Sequence, residues 1–230
     1  MRMMIAAALA MAPLLAKDND SVKRLNETAL VFSEIMATPD KGIPEDLLER
    51  AHCIVIVPGE KTAAFLVGGK YGKGYVSCRH HGGWSAPGTV IVEGGSFGFQ
   101  IGGSMTDVIM LVMNKGGEER LLTSKFTLGG EASVAAGPVG RTAAAQTDLQ
   151  MHAEILSWSR SQGLFAGVAL EGATLRQDLN DNAQIYGRKL DNREILTTPV
   201  HTPRAAAKLI AELNEHPARA HAVASTGAGQ

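Results

Sequence analysis

Glycine constrains this chain more than any other residue: 21 of its 26 glycines lie between Gly68 and Gly172. An interior glycine costs a helix about 1 kcal/mol relative to alanine, so a helical bundle would not tolerate that density. The apolar residues between the glycines instead follow the two-residue period of strands. Candidate strands cover Cys53–Val57, Ala63–Tyr71, Gly74–Arg79, Thr89–Glu93, Phe97–Ile101 and Asp107–Met113. Gly72-Lys73, His81-Gly82-Gly83, Gly94-Gly95 and Gly102-Gly103 separate them and read as hairpin punctuation. Val108–Met113 shows no polar alternation, which predicts a strand covered on both faces. Further strands are expected at Phe126, Ala132–Ala136, His152–Ser159 and Leu164–Gly172.

Helices flank this central stretch. Leu25, Ala29, Phe32 and Met36 form one apolar stripe, predicting an amphipathic helix from Asp20 to Ala37 that Thr38-Pro39 stops. Pro44 opens a second, short helix, with Glu45 and Asp46 in the first turn where the helix dipole favours them. Asn114-Lys-Gly-Gly117 reads as a break, followed by a short helix from Glu118 to Lys125. Ala173 to Arg193 is mixed and polar, with a turn at Asn182 and at Tyr186-Gly187. A last helix begins at Thr202-Pro203, presents Ala206, Leu209, Ile210 and Leu213, and ends at Pro217, leaving a polar tail expected to be disordered. A chain of 230 residues suits one domain, here residues 17–216. The expected fold is α+β, with a glycine-rich, mostly antiparallel β-barrel-like core and helices packed on its surface. Closure of the sheet would remove edges that such apolar strands would otherwise expose.

Residues 1–16 read as a signal peptide: Arg2, an apolar run from Met3 to Leu15, then charge at Lys17 and Asp18. Export, to a periplasm or an equivalent compartment, is the expectation. Cys53 and Cys78 are the only cysteines; in an oxidising compartment they permit one disulfide, although both also fit the pattern of small buried hydrophobes. A net charge of −1 and few aromatics give no support to nucleic-acid binding.

Catalytic patterns are weak. Gly94-Gly-Ser-Phe-Gly98 matches a nucleophile elbow around Ser96, with Asp107 and His152 following in hydrolase order. An elbow must lead into a helix, and the alternating, glycine-rich residues after Gly98 favour a hairpin turn instead. His52-Cys53 with Cys78, His80 and His81 lacks the ligand spacing of a zinc site, and no cofactor fingerprint is present. What remains are cations expected on loops: Lys70, Lys73, Arg79, Arg141 and Arg160, with Arg188 and Lys189. Arginine grips phosphate with a planar fork and lysine with a point charge, so such loops suit phospholipid headgroups; ordinary solvated charge is the plainer reading. Lys70-Tyr71-Gly72-Lys73 is the most suggestive group, since tyrosine can rest at a membrane interface while ammonium groups meet phosphates.

Several segments in order resemble the SYLF-domain family. Ile43-Pro44 through Ala51 is similar to its helix entry, and Gly82-Gly-Trp84-Ser-Ala-Pro87 to its tryptophan turn. Ile101-Gly102-Gly103 with Thr106-Asp107, Thr127–Arg141, Ser157–Gly172 and Asn182–Gly187 complete the likeness. Trp158 stands where the family's name motif has tyrosine. The resemblance implies a barrel-like core with packed helices, association with phosphoinositides or other anionic phospholipids, and no catalytic residues. Fungal members also bind actin, a property not expected of an exported copy without an SH3 domain. The resulting expectation is a non-enzymatic, membrane-associated module with Lys70, Lys73, Arg79, Arg141 and Arg160 on phosphates. An envelope protein partner is the alternative, and a hydrolase using Ser96 the third reading.

Overall fold

A computed structural model describes residues 20–37, 42–80, 83–140, 152–161 and 163–216, with the backbone alone at 63–67 and 96–103. The expected leader (1–16), Arg141 and the tail from 217 to 230 lie outside these residues. Helices α1 (Asp20–Met36) and α2 (Glu45–Arg50) precede β1 (Cys53–His80), β2 (Gly83–Trp84) and β3 (Gly88–Val112). Then come α3 (Lys115–Leu121), β4 (Lys125–Thr127), β5 (Val134–Ala136), β6 (Ile155–Ser161), β7 (Leu164–Gly167) and β8 (Thr174–Gln177). Helices α4 (Leu179–Tyr186), α5 (Asn192–Thr197) and α6 (Ala207–Asn214) follow, with a 3₁₀ turn at Arg204–Ala206 before α6.

The ribbon of β1 and β3 organises everything else. These strands pair antiparallel from Cys53 opposite Val112 to Val76 opposite Gly88, with irregularities between Val57 and Glu60 and between Ala64 and Leu66. A straight strand would hold Cys53 and Cys78 about 80 Å apart. Their Cα atoms are 3.9 Å apart and a disulfide joins them, so β1 doubles back on itself. The Arg79 N–H donates to the His52 carbonyl at 2.7 Å across this fold. Glycine permits the crossing: a Cβ on Gly74 would sit 2.1 Å from the Ile56 carbonyl oxygen, and one on Gly72 would sit 2.6 Å from Val57.

The ribbon corrects two sequence expectations. Gly72, Gly74, Gly94, Gly95, Gly102 and Gly103 lie inside two long strands, so most of the glycine pairs bend strands and do not end them. Ser96 pairs opposite Gly68 within β3, which is neither the expected hairpin turn nor the strand-to-helix turn of a nucleophile elbow. Of the two readings open for Cys53 and Cys78, the disulfide is the one that forms.

Other strands extend the ribbon on both sides into one eight-stranded curled sheet. Strand β6 pairs with the Asp107–Val112 half of β3, and β8 with its Val90–Glu93 half. Strand β7 pairs antiparallel and β5 parallel with β6, while β4 pairs with β8. The inner face packs Cys53, Val55, Val57, Val108, Met110 and Phe126. The outer face carries Ile54, Ile56, Ile109, Leu111 and Trp158 under α1, α2 and α6. Both faces of Val108–Val112 are thus covered, as the unbroken apolar run predicts. The expected stripe of α1 buries Leu25, Ala29 and Phe32 on this outer face, with Met36 packed beside them.

Two element assignments change. Asn114 follows the end of β3, as expected of a break, but it is also the N-cap of α3, its side chain accepting from the Gly117 N–H at 2.9 Å. That helix runs from Lys115 to Leu121 and not from Glu118 to Lys125. The polar stretch after Ala173 holds β8, α4 and α5, started by Asp178 and Asp191 as N-caps and with Gly187 closing α4 at φ 69°. Capping aspartates in a polar stretch look like loop residues until the helix behind them is seen.

Candidate functional site

The two segments most distinctive in the sequence meet inside the fold. Trp158 is fully buried, and its indole N–H donates to the Pro138 carbonyl at 2.9 Å. A Cβ on Gly137 would fall 2.0 Å from the Trp158 ring, and one on Gly167 would fall 2.1 Å from the Gly137 carbonyl oxygen. The Gly137 N–H donates to the Ser157 carbonyl at 2.9 Å, and the Ser157 hydroxyl donates to the Val168 carbonyl. These motifs pack β6 and its neighbours around an indole. They are packing devices, and an indole N–H satisfies the carbonyl here without a phenol hydroxyl.

The expected phosphate ligands do not form one group. Lys70, Lys73 and Arg79 lie on β1 and Arg160 on β6, so all four sit on strands and not on loops. Arg160 donates to Asp107 Oδ2 at 2.9 Å from Nε and also reaches Glu34 of α1. Arg79 donates to the Leu48 and His216 carbonyls, each at 3.0 Å, and stacks 4.1 Å above the Trp84 ring. Burial lowers its pKa, with the Glu49 carboxylate opposing that shift. Both arginines therefore clamp helices to the sheet. Lys70 faces away from Tyr71 and Lys73 by strand alternation, and its charge acts on Glu60. Glu60 is 3 % exposed, its Oε2 has no hydrogen-bond partner among the described residues, and burial raises its pKa.

Lys73 belongs to a different group, one that the sequence does not bring together. The folded ribbon leaves a cleft of about 270 Å³ between its two halves, lined by Pro58, Gly59 and Lys61 on one side and Tyr71, Gly72 and Lys73 on the other. Helix α1 adds Arg24 and Glu27, and β3 adds Met105. Lys61 is exposed, as are Tyr71 at 46 % and Met105 at 65 %, so the lip combines a cation with two apolar side chains. Arg24 and Lys61 lie 37 residues apart on a helix and a strand, and only the folding back of β1 makes them neighbours.

Two carboxylates anchor the floor. The Lys73 ammonium donates to Asp178 Oδ2 at 2.6 Å and Asp181 Oδ2 at 3.3 Å, and Arg24 Nη1 donates to Asp181 Oδ2 at 2.7 Å. Asp178 also accepts from the Asn180 and Asp181 N–H groups as the N-cap of α4. Burial opposes ionisation of Asp178, but the hydrogen bonds from Lys73 and the Asp181 N–H outweigh it and hold its pKa below the usual carboxylate range. Burial likewise opposes the charge on Lys73, and its two aspartates prevail and raise its pKa. The floor is a fixed, charge-matched frame. Lys73 and Arg24 both line the cleft, and Lys73 keeps one N–H beyond its two aspartate bonds among the described residues.

Comparison with known proteins gives the same family as the sequence motifs. The model of the Ysc84 family, described as Las17-binding protein actin regulator, matches residues 93–216. An SH3 domain-containing protein of Schizosaccharomyces pombe is 36 % identical over 176 residues, covering 75 % of this chain and 41 % of that protein. SH3 domain-containing YSC84-like protein 1 of Rattus norvegicus is 35 % identical over 187 residues, 80 % of this chain and 55 % of that one. LAS seventeen-binding protein 3 of Saccharomyces cerevisiae is 35 % identical over 176 residues, 74 % of this chain and 38 % of that one. The chain thus spans about half the length, or less, of these relatives, none of which is named as an enzyme. With its motifs in order and the family model covering over half of its residues, the chain belongs to the Ysc84 (SYLF) family.

Proposed function

We propose that this chain is an exported, non-enzymatic domain that docks on membrane surfaces rich in anionic phospholipid. The observation that carries the reading is the cleft, where Lys61, Lys73 and Arg24 line one space beside the single carboxylate Glu27, and Tyr71 and Met105 flank it with exposed apolar surface. A phosphate seated there takes the free lysine N–H groups and the arginine fork. Tyr71 and Met105 rest at the headgroup level, with Lys70 on the neighbouring strand face adding long-range attraction. Arg79 and Arg160, which are engaged with the protein itself, hold the scaffold in this reading. Arg141, outside the described residues, remains part of the proposed headgroup set. The apolar leader and the Cys53–Cys78 bond both support delivery to an oxidising compartment such as a periplasm, away from actin.

Sedimentation with vesicles of phosphatidylcholine, alone or mixed with phosphatidylglycerol, tests this. Binding should rise with the anionic fraction and fall as salt shortens the Debye length from about 10 Å at 0.1 M to about 3 Å at 1 M. Binding that ignores salt, or equal binding to neutral vesicles, would reject the headgroup cleft. A second reading, a protein partner in the envelope, draws on the relative named for binding LAS seventeen. Leu164, 73 % exposed at the end of β7, is the apolar surface it would use. Crosslinking from Leu164 to one partner, in a preparation without vesicle affinity, would favour it.

A further inference from the structure

The cleft lies between two halves of one strand, and each half is held by different neighbours. The Cys53–Glu60 half pairs with the end of β3 and through it reaches β6, whereas the Tyr71–Val76 half pairs with the start of β3 and through it reaches β8. Among the described residues, three contacts join the halves directly: the Cys53–Cys78 disulfide, the Arg79-to-His52 hydrogen bond, and the close approach of Gly72 and Gly74 to Ile56 and Val57. Glu60, with its unpartnered Oε2, is buried at this crossing, since a Cβ on Gly72 would lie 3.1 Å from the Glu60 Cβ. A buried carboxylate oxygen without a partner opposes closure. The disulfide is the one covalent contact holding the halves against it.

We propose that the Cys53–Cys78 disulfide licenses the cleft, so that the chain gains a binding-competent site only after oxidation and stays silent toward anionic membranes while reduced. The proposal rests on the headgroup reading for its ligand. Its chemistry is thiol–disulfide exchange with an oxidised disulfide catalyst of the receiving compartment. Two cysteine thiols lose two protons and two electrons, one S–S bond forms in this chain, and the catalyst's S–S bond is reduced to two thiols. Both sulfurs belong to fully buried residues, so the state is fixed as the ribbon closes during folding and is not toggled afterwards. Without the bond, closing the segment between the cysteines falls to non-covalent contacts alone.

The test compares the disulfide-bonded protein with a Cys53→Ala/Cys78→Ala variant, by sedimentation with phosphatidylcholine–phosphatidylglycerol vesicles and by hydrogen exchange. The expected result is a folded variant that binds at least tenfold more weakly, with faster exchange at 56–61 and 71–75 and unchanged exchange in β6 and β8. Equal vesicle binding by the two proteins, or unchanged exchange at the crossing, overturns the proposal. A variant that loses its circular dichroism altogether overturns it too, because the bond would then hold the whole sheet and not the cleft. If the wild type ignores the vesicles, the headgroup reading fails, and exchange at the crossing alone decides for or against the staple.

Discussion

Gly74 and Gly95 show how differently two strand glycines can matter. A methyl group on Gly74 would meet the Ile56 carbonyl oxygen at 2.1 Å and the Val57 Cα at 2.7 Å, both backbone atoms that cannot swing aside. Gly95 lies on β3 opposite Gly69, and a Cβ there meets nothing within 4 Å among the described residues. Gly74→Ala should therefore cost about 3 kcal/mol or more, in the range where overpacking forces backbone shifts. Gly95→Ala should be neutral or stabilise by about 0.5–1 kcal/mol, because alanine loses less backbone entropy on folding. Urea unfolding of the two variants checks this, and equal costs would mean that the strand crossing is not tightly packed. The sequence reads Gly74 as the start of a strand and Gly95 as hairpin punctuation, and neither reading shows what a side chain there would meet. Whether a glycine ends a strand, bends it or lets another strand pass depends on a partner more than ten residues away, which local pattern does not encode.

Among the elements, α4 depends on an aspartate that serves as both cap and counter-ion. Asp178 caps the helix and binds Lys73, while Asp181 ties the same helix to Arg24 of α1. The folded-state pKa of Asp178 is depressed, so its contribution is present above the unfolded value, about 3.9, and is lost as pH falls through the lower folded value. Lys73 has a raised pKa, so its contribution is intact below about 10.4 and is lost as pH rises beyond it. Stability from this pair should be level between about pH 5 and 9 and decline on either side. Asp178→Asn keeps a good capping residue and removes the charge, which should cost about 1.5–3 kcal/mol at neutral pH. The difference from wild type should shrink as acid protonates Asp178, and a difference that stays constant in acid would show that the ion pair contributes nothing. Helices whose apolar stripe faces the sheet, α1 and α6, are legible in the sequence because their burial is written in a 3.6-residue period. The α4 helix is not, because its buried residues include Asp181 and Asn182, and a buried polar face has no hydrophobic period. The cleft is half legible for the same reason: Tyr71 and Lys73 are conspicuous on one strand, but Arg24, Lys61 and Met105 join them only through the fold.

For the whole molecule, a formal charge of −1 means that approach to an anionic surface gains nothing from bulk electrostatics. Attraction has to come from the local arrangement at the cleft, and that separates a site from a merely basic protein. Lys61 is the cleft cation best suited to test this, because it is exposed and has no ion pair among the described residues, whereas Lys73 and Arg24 are bound to aspartates. Lys208 on α6 is also exposed and does not line the cleft. A lysine near an anionic leaflet contributes about 1 kcal/mol, so reversal to glutamate removes about 2 kcal/mol, roughly thirtyfold in affinity. Lys61→Glu should lose about that much vesicle binding with an unchanged unfolding midpoint. Lys208→Glu, with the same change in net charge, should lose far less, because Lys208 does not line the cleft. Equal losses would mean that total charge governs the approach. If neither substitution weakens binding, the lip formed by Lys61, Tyr71 and Met105 is not the surface that meets the membrane.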